Sequence, residues 1–257
     1  MTKFSRLGCA FFAAVWFVFL FAAPSSTLAS DGKIHVTWLG HAAFQVTSPG
    51  GTTLLFDPFI KNNPKTPEKF KDLSRYKPDA ILLTHSHGDH VGDAEAIAAA
   101  SGAKVIGVFD HLKSLNLPEG AAMGGNPGGK FKVGDVTVNL VPAMHSSSPG
   151  GRPLGYVVQF ADGRSLYDTG DTWIFGDMAL IDEIFSPNIV LLQAGGGPYN
   201  QDPGIAALAI KKYFKADVVI PMHYGTWPIL SAEADVKAEL GGTAGIKIMQ
   251  PGDSADF

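Results

Sequence analysis

The sequence predicts a mixed α/β fold, a four-layer αββα sandwich with its active site at one edge of the sheets. Three observations predict it. Each half of the chain opens with a meander of short β-type runs and goes on with alternating apolar-strand and helical patterns. No linker separates the halves, so both belong to one domain. The residues able to do chemistry follow the ends of apolar runs, where the loops of two packed sheets would meet. Composition agrees: 257 residues, 46% hydrophobic and 17% charged, can bury a sizeable core and are too apolar for a disordered chain. Thirty glycines and seventeen prolines are scattered rather than periodic, which marks many loops and excludes a fibrous repeat.

The first half begins with strands over 34–38, 43–47 and 53–56, the last two joined by the turn Ser48-Pro49-Gly50-Gly51. A lysine-bearing, proline-broken stretch covers 61–77. The apolar run 79–84 reads as a buried strand, and a helix follows at 93–100. Near residue 130 the order restarts. Runs 131–133 and 136–141 flank Gly134-Asp135, and 155–160 and 165–167 flank Asp162-Gly163, which predicts two hairpins. Helical patterns at 178–185 and 205–214 then alternate with buried strands at 189–193 and 218–222.

The first residues belong to processing rather than to the fold. Lys3 and Arg6 precede an uncharged apolar run over 7–23, and Thr27-Leu28-Ala29 supplies small residues for cleavage. Residues 1–29 are therefore read as a signal peptide and 30–257 as the mature domain of an exported protein, periplasmic or secreted. A retained membrane anchor is the competing reading, and the N-terminal residue of protein recovered from the envelope decides between them. Cleavage removes Cys9, the only cysteine, so no disulfide, cysteine nucleophile or thiolate ligand remains. The net charge of -4 offers no basic footprint for nucleic acid and no polybasic membrane patch. A small-molecule substrate is the expected partner, with the oligomeric state left open.

The chemistry concentrates in Thr84-His85-Ser86-His87-Gly88-Asp89-His90, which holds three of the eight histidines. On extended backbone His85 and His87 share a face, while Asp89 and His90 lie past the Gly88 bend and can turn elsewhere, so one cluster can serve two ions. With this motif, and with Trp38-Leu39-Gly40-His41, Asp57-Pro58-Phe59, Gly170-Asp171-Thr172 and Pro221-Met222-His223-Tyr224-Gly225, the chain from Ile34 to Gln250 resembles the metallo-β-lactamase superfamily. Within it the chain looks like the bacterial metal-dependent hydrolases related to ascorbate-6-phosphate lactonase. The family's fold is the αββα sandwich expected above.

The resemblance implies a binuclear centre. His85, His87 and His145 would hold the first ion; Asp89, His90 and His223 the second; Asp171 would bridge them. Nitrogen and carboxylate ligands without thiolate suit Zn2+, and Mn2+ or Fe2+ would also accept them. Asp168, three residues before Asp171, is read as a supporting residue. Asp57 either accepts an imidazole N–H from a ligand or caps the Asp57-Pro58 turn, and His41 either points into the cleft or does not. His35 and His111 carry no motif and are read as surface or satisfied core residues.

The implied activity is hydrolysis of a small ester, lactone or phosphoester by a hydroxide between two ions, with Asp89 and Asp171 as catalytic residues that orient it. A non-catalytic metal-binding protein of the envelope would use the same ligands. Ser146, Ser147 and Ser148 lack a nucleophile elbow and read as loop or substrate contacts. Arg152, Tyr199, Lys61, Lys65, Lys69 and Lys71 could meet an anionic group, although a lysine run is more simply a solvated face. The segment 124–130 has phosphate-loop spacing, but Phe131 stands where Ser or Thr is required. Gly195-Gly196-Gly197 reads as a flexible loop at the active edge.

Overall fold

The computed structural model describes Met1 and residues 32–257, so the signal-peptide reading and Cys9 lie outside the described residues. The first half forms β1 (His35–Gly40), β2 (Ala43–Thr47), β3 (Thr53–Phe56), β4 (Ala80–Leu82), α1 (Gly88–Val91), α2 (Ala94–Ser101), β5 (Lys104–Val108), α3 (Phe109–Leu112) and β6 (Ala122–Gly125). The second forms β7 (Lys130–Val133), β8 (Val136–Pro142), β9 (Leu154–Gln159), β10 (Ser165–Asp168), α4 (Met178–Phe185), β11 (Ile189–Gln193), α5 (Pro203–Tyr213), β12 (Val218–Met222), α6 (Glu233–Leu240) and β13 (Ser254–Asp256).

These strands build a seven-stranded sheet in the order β13-β1-β2-β3-β4-β5-β6 and a six-stranded sheet in the order β12-β11-β10-β9-β8-β7. Alternation decides how the sheets pack. In the first sheet Val36, Trp38, Phe44, Val46, Leu54 and Phe56 enter the core shared with the second sheet. The residues between them, Leu39, Ala43 and Leu55, turn outward to join Ile97 and Ala98 of α2. Met178 and Ile181 of α4 and Ala206, Ala209 and Ile210 of α5 join the large core through the second sheet, giving the expected four layers.

Strand direction places the loops. Pairs β1/β2 and β2/β3 are antiparallel and β3/β4 is parallel, so β1, β3 and β4 run the same way. By the same parity β8, β10, β11 and β12 share one direction. The C-terminal ends of both sets meet along one edge, tied by Leu154 N donating to Thr84 O (2.8 Å) and His223 N donating to His41 O (3.0 Å).

One expectation is corrected, and the exclusion of a phosphate loop stands. No helix was expected within the histidine motif, yet α1 starts at Gly88 inside it, because the turn after His87 closes bonds from His90 N and Val91 N to His87 O. The phosphate-loop lookalike joins β6 to β7 and is followed by a strand, so no helix N-terminus stands behind it.

The halves are also clipped at the opposite side. Asp135, in the β7–β8 turn, accepts from Ser48 Oγ (2.6 Å), from Thr52 Oγ1 and from Gly50 N (3.2 Å). Partial burial opposes its charge, but the Ser48 and Thr52 hydroxyls outweigh this and hold the carboxyl below the usual carboxylate range. The sign follows: its contribution is full above the unfolded pKa and is lost as pH falls through the folded one. Asp135→Asn is expected to lower unfolding free energy by about 1 kcal/mol at pH 7, with the gap closing towards pH 3. Urea melts at both pH values check it, and a gap that widens in acid would contradict this role.

Candidate metal centre

At the shared edge the structure gathers side chains from six strand ends. His41 follows β1, Asp57 follows β3, His85 and His87 follow β4, His145 follows β8, Asp171 follows β10 and His223 follows β12; Asp89 and His90 stand on α1. His85, His87 and His145 form one group whose ligand-type atoms lie within 4.8 Å of one another, with Nε2 of His85 2.8 Å from Nδ1 of His87. His41, Asp89, His90 and His223 form a second such group, and His85, His90 and Asp171 a third that overlaps both sets of histidines. Asp171 Oδ2 lies 3.2 Å from His223 Nε2, 3.4 Å from His90 Nε2 and 3.5 Å from His145 Nε2. One carboxylate thus touches histidines of both expected sites.

A cation fits this donor set. His90 Nε2, His223 Nε2 and Asp171 Oδ1 are buried without a hydrogen-bond partner of good geometry, a costly arrangement for polar atoms. Burial, with neighbouring imidazoles, drives the His85 pKa well below its usual value, and burial lowers that of His145, so both rings keep a lone pair at neutral pH. His90 behaves oppositely. Burial opposes its charge, but the carboxylates of Asp171 and Asp57 push its pKa well above the usual value. A proton on His90 therefore sits where a cation would replace it, and metal uptake would release it.

The supporting residues fix ring orientation. Asp57 is fully buried and accepts from Thr84 N (2.8 Å), Thr84 Oγ1 (2.6 Å) and His90 Nδ1 (2.7 Å). Of the two roles open for it in the sequence, the imidazole acceptor is the one observed, and it leaves His90 Nε2, once that proton is released, as the nitrogen that would meet a cation. Thr84 Oγ1 spends its proton on Asp57, so it can accept from His85 Nδ1 at 3.0 Å, which frees His85 Nε2 in turn. Asp168 stays outside the ligand groups: its Oδ1 accepts from Gly170 N (3.0 Å), and burial pushes its carboxyl well above the usual range, towards the neutral form.

His41 does not line the cleft; it is buried behind it, grouped with Asp89, His90 and His223. Its Nε2 is 3.0 Å from Asp89 Oδ2 and its Nδ1 is 2.8 Å from Thr226 Oγ1. Burial first, then the charge of His223, lowers its pKa to about 3, so it is a neutral imidazole. His41, Asp57 and His223 all hold positive φ (59°, 38° and 71°), conformations that cost of order 1–3 kcal/mol each and collect at functional sites. Sequence reasoning missed Thr226 and Asn200, whose amide lies 3.3 Å from His223 Nδ1 and 3.1 Å from Asp171 Oδ2. Neither sits in a motif.

The lone histidines divide. His35 is half exposed and pairs with Asp256 at 2.6 Å, a surface contact. His111 is buried on α3 with Nδ1 unpartnered, so the satisfied-core reading fails for that atom. The cleft over the ligands has a volume of about 280 Å3 and includes Tyr199, Ser146 and Asn200, but neither Arg152 nor any of the four lysines. Among the described residues no helix is long and apolar enough to cross a membrane.

Comparisons agree with the geometry. The beta-lactamase superfamily domain family matches residues 52–224. The chain is 43% identical over 245 residues to a metal-dependent hydrolase of Myxococcus xanthus, covering 90% of this chain and 86% of that one. It is 40% identical to a metal-dependent hydrolase of Thermococcus kodakarensis, covering 87% of this chain and 100% of that one. Among solved structures it is similar to Igni18, a metallo hydrolase from Ignicoccus hospitalis, with a TM-score of 0.77, 33% identity, and coverage of 88% of this chain and 98% of that one.

Proposed function

From the premise that this chain belongs to the beta-lactamase superfamily and is a metal-dependent hydrolase, we propose that it binds two divalent ions, Zn2+ foremost, and hydrolyses a small ester, lactone or phosphoester. The observation that carries the binuclear reading is Asp171, whose Oδ2 stands within 3.5 Å of His223, His90 and His145. His85, His87 and His145 would hold one ion; Asp89, His90 and His223, with His41 beside them, the other; Asp171 would join both. When bound, the ions supply Lewis acidity, which polarises the attacked group and acidifies water.

The chain's own residues do the rest. Asp57, Thr84 and Thr226 hold the imidazoles so that one nitrogen of each faces its ligand group, and rigid strand ends keep those nitrogens in place. Asp89 is 28% exposed at the cleft mouth, and although burial opposes its charge, the His41 contact keeps it ionised. It orients the attacking water and hands the released proton to solvent. The water oxygen bonds to the acyl or phosphoryl centre, the bond to the leaving oxygen breaks, and that oxygen takes a proton as it departs. No protein nucleophile is needed; Ser146 Oγ, 3.5 Å from His87 Nε2, is placed for a substrate contact.

His87→Ala and His223→Ala are each expected to lose roughly one metal equivalent and most activity, because each removes a nitrogen from a different ligand group. Elemental analysis of the purified variants, beside a panel of lactones, esters, thioesters and phosphodiesters, tests both parts. Two full equivalents in either variant would refute the ligand assignment, and an inert, metal-replete wild type would refute the hydrolysis.

A further inference from the structure

The cleft has two unlike walls. One carries His87, Asp89, His145, Asp171 and His223, with Ser146 and Asn200 beside them; the other carries Tyr199, Trp227, Ile229 and Leu230. Asp89 and Asp171 are the only charged side chains of the lining besides histidine, and both belong to the ligand wall. An anion laid against Trp227, Ile229 and Leu230 would face carbon, with no cation of the lining to pair with it. A neutral apolar group would find the opposite.

The apolar wall is a built feature. Trp227 lies edge-on to His41 at 5.0 Å and against Phe59 at 5.9 Å, so its ring is fixed by groups at the metal centre. The loop carrying it closes through Gly225 N to Ser231 O (2.9 Å) and Leu230 N to Trp227 O (3.0 Å), and docks on the glycine triplet through Ser231 N to Gly195 O (2.8 Å). That contact explains the triplet. Gly196 and Gly197 have φ of 62° and 69°, and a Cβ on either would meet Ser231 Oγ at 2.0 Å or Ile229 O at 2.4 Å. The run expected to be a flexible edge loop is a close-packed seat for the wall. Ile229 and Tyr199 remain 54% and 66% exposed at the mouth, apolar surface that a ligand could cover.

We propose that the substrate is an uncharged ester or lactone whose acyl or aryl part is apolar and lies against Trp227, Ile229 and Tyr199, and not one bearing a remote phosphate or carboxylate. The inference rests on the hydrolase reading above and narrows it. The volume agrees: an apolar cavity of roughly 150 Å3 takes a benzene ring, so about 280 Å3 takes a ring or short acyl chain together with the reacting carbonyl. In the reaction the water oxygen bonds to the acyl carbon, the acyl carbon–oxygen bond breaks with its electron pair going to the alcohol oxygen, which takes one of the water's protons, and the other proton passes to solvent; an ester gives an apolar carboxylate and an alcohol, a lactone a single hydroxycarboxylate.

The test uses the zinc-loaded full chain with aryl acetate, butyrate and hexanoate esters and the matching hemisuccinate, whose acyl chain ends in a carboxylate. KM is expected to fall by up to about fourfold per methylene, the worth of burying one CH2, with the hemisuccinate at least tenfold worse than butyrate. Ile229→Ala should raise KM for the hexanoate about fivefold with metal content unchanged, and Ile229→Lys should shift preference towards the hemisuccinate. No chain-length dependence, or a preferred hemisuccinate in the wild type, would overturn the proposal while leaving hydrolysis standing. Should no ester be turned over, binding of hexanamide against succinamate, followed by tryptophan fluorescence, separates the two ideas. Selective, Ile229-dependent hexanamide binding keeps the pocket assignment and discards the reaction; its absence discards both.

Discussion

Asp171→Asn is expected to lower turnover by more than about 100-fold and to lose at least one metal equivalent, with the fold retained. The lower bound comes from groups one step further from the metal, whose removal already costs 10–100-fold; Asp171 itself touches three of the expected histidine ligands. Asparagine keeps the size but removes the charge and half the acceptor capacity. Burial opposes ionisation of Asp171, yet His223 and His90 hold its carboxyl well below the usual range, so the wild-type group is an anion. Losing it would leave the two proposed cations without their shared counter-charge. Asp168→Asn is the matched control. Burial, with the charge of Asp57, pushes the Asp168 carboxyl well above the usual range, so the neutral amide is close to what is already there. Its Oδ1 contact with Gly170 N can persist. Metal-to-protein ratios, turnover and melting of both variants decide the matter. Metal loss in Asp168→Asn with two ions and normal rates in Asp171→Asn would reverse the assignment.

Asp57→Ala is expected to be the most destabilising single change near the site, costing about 3–5 kcal/mol, the range for breaking a buried ion pair by removing one partner. Asp57 and His90 both have fully buried side chains, and their contact is 2.7 Å. Truncation strands Thr84 N and Thr84 Oγ1 as well. For a chain of this size that loss corresponds to roughly a 10 °C drop in melting temperature. Since His90 would lose the acceptor that fixes its ring, metal affinity should also fall 10–100-fold. Melting and zinc titration of the variant, with and without chelator, separate the two effects. Unchanged melting would show that the Asp57 network does not hold the edge together.

The reading from sequence succeeded where local pattern decides structure. β2, β3, α4, β11 and β12 occupy the expected residues, because alternation, apolar runs and turn residues are local signals. It failed where partners decide. β6 is Ala-Met-Gly-Gly, without strand propensity, and exists because β5 offers it a parallel edge. β13 spans three residues and is a strand only because β1 lies beside it. α6 buries little beyond Val236 and Leu240, so no apolar stripe announced it, although Asp235 caps it through the Ala232 N–H at 2.8 Å.

At the site, the sequence by itself determined which side chains could bind metal: the histidine and aspartate motifs stand at the ends of apolar runs, and residue type and spacing are carried by the chain. Only the tertiary structure decided which of them meet. Asp57 chose His90 over its own turn, His41 reached Asp89 across 48 positions, and the glycine triplet became the seat of an apolar wall. The physical reason is distance. Ligand identity is a property of single residues, whereas the 3 Å contacts that orient a ring, lift a pKa or shape a cleft join segments that approach only after both sheets have packed and brought their strand ends to one edge.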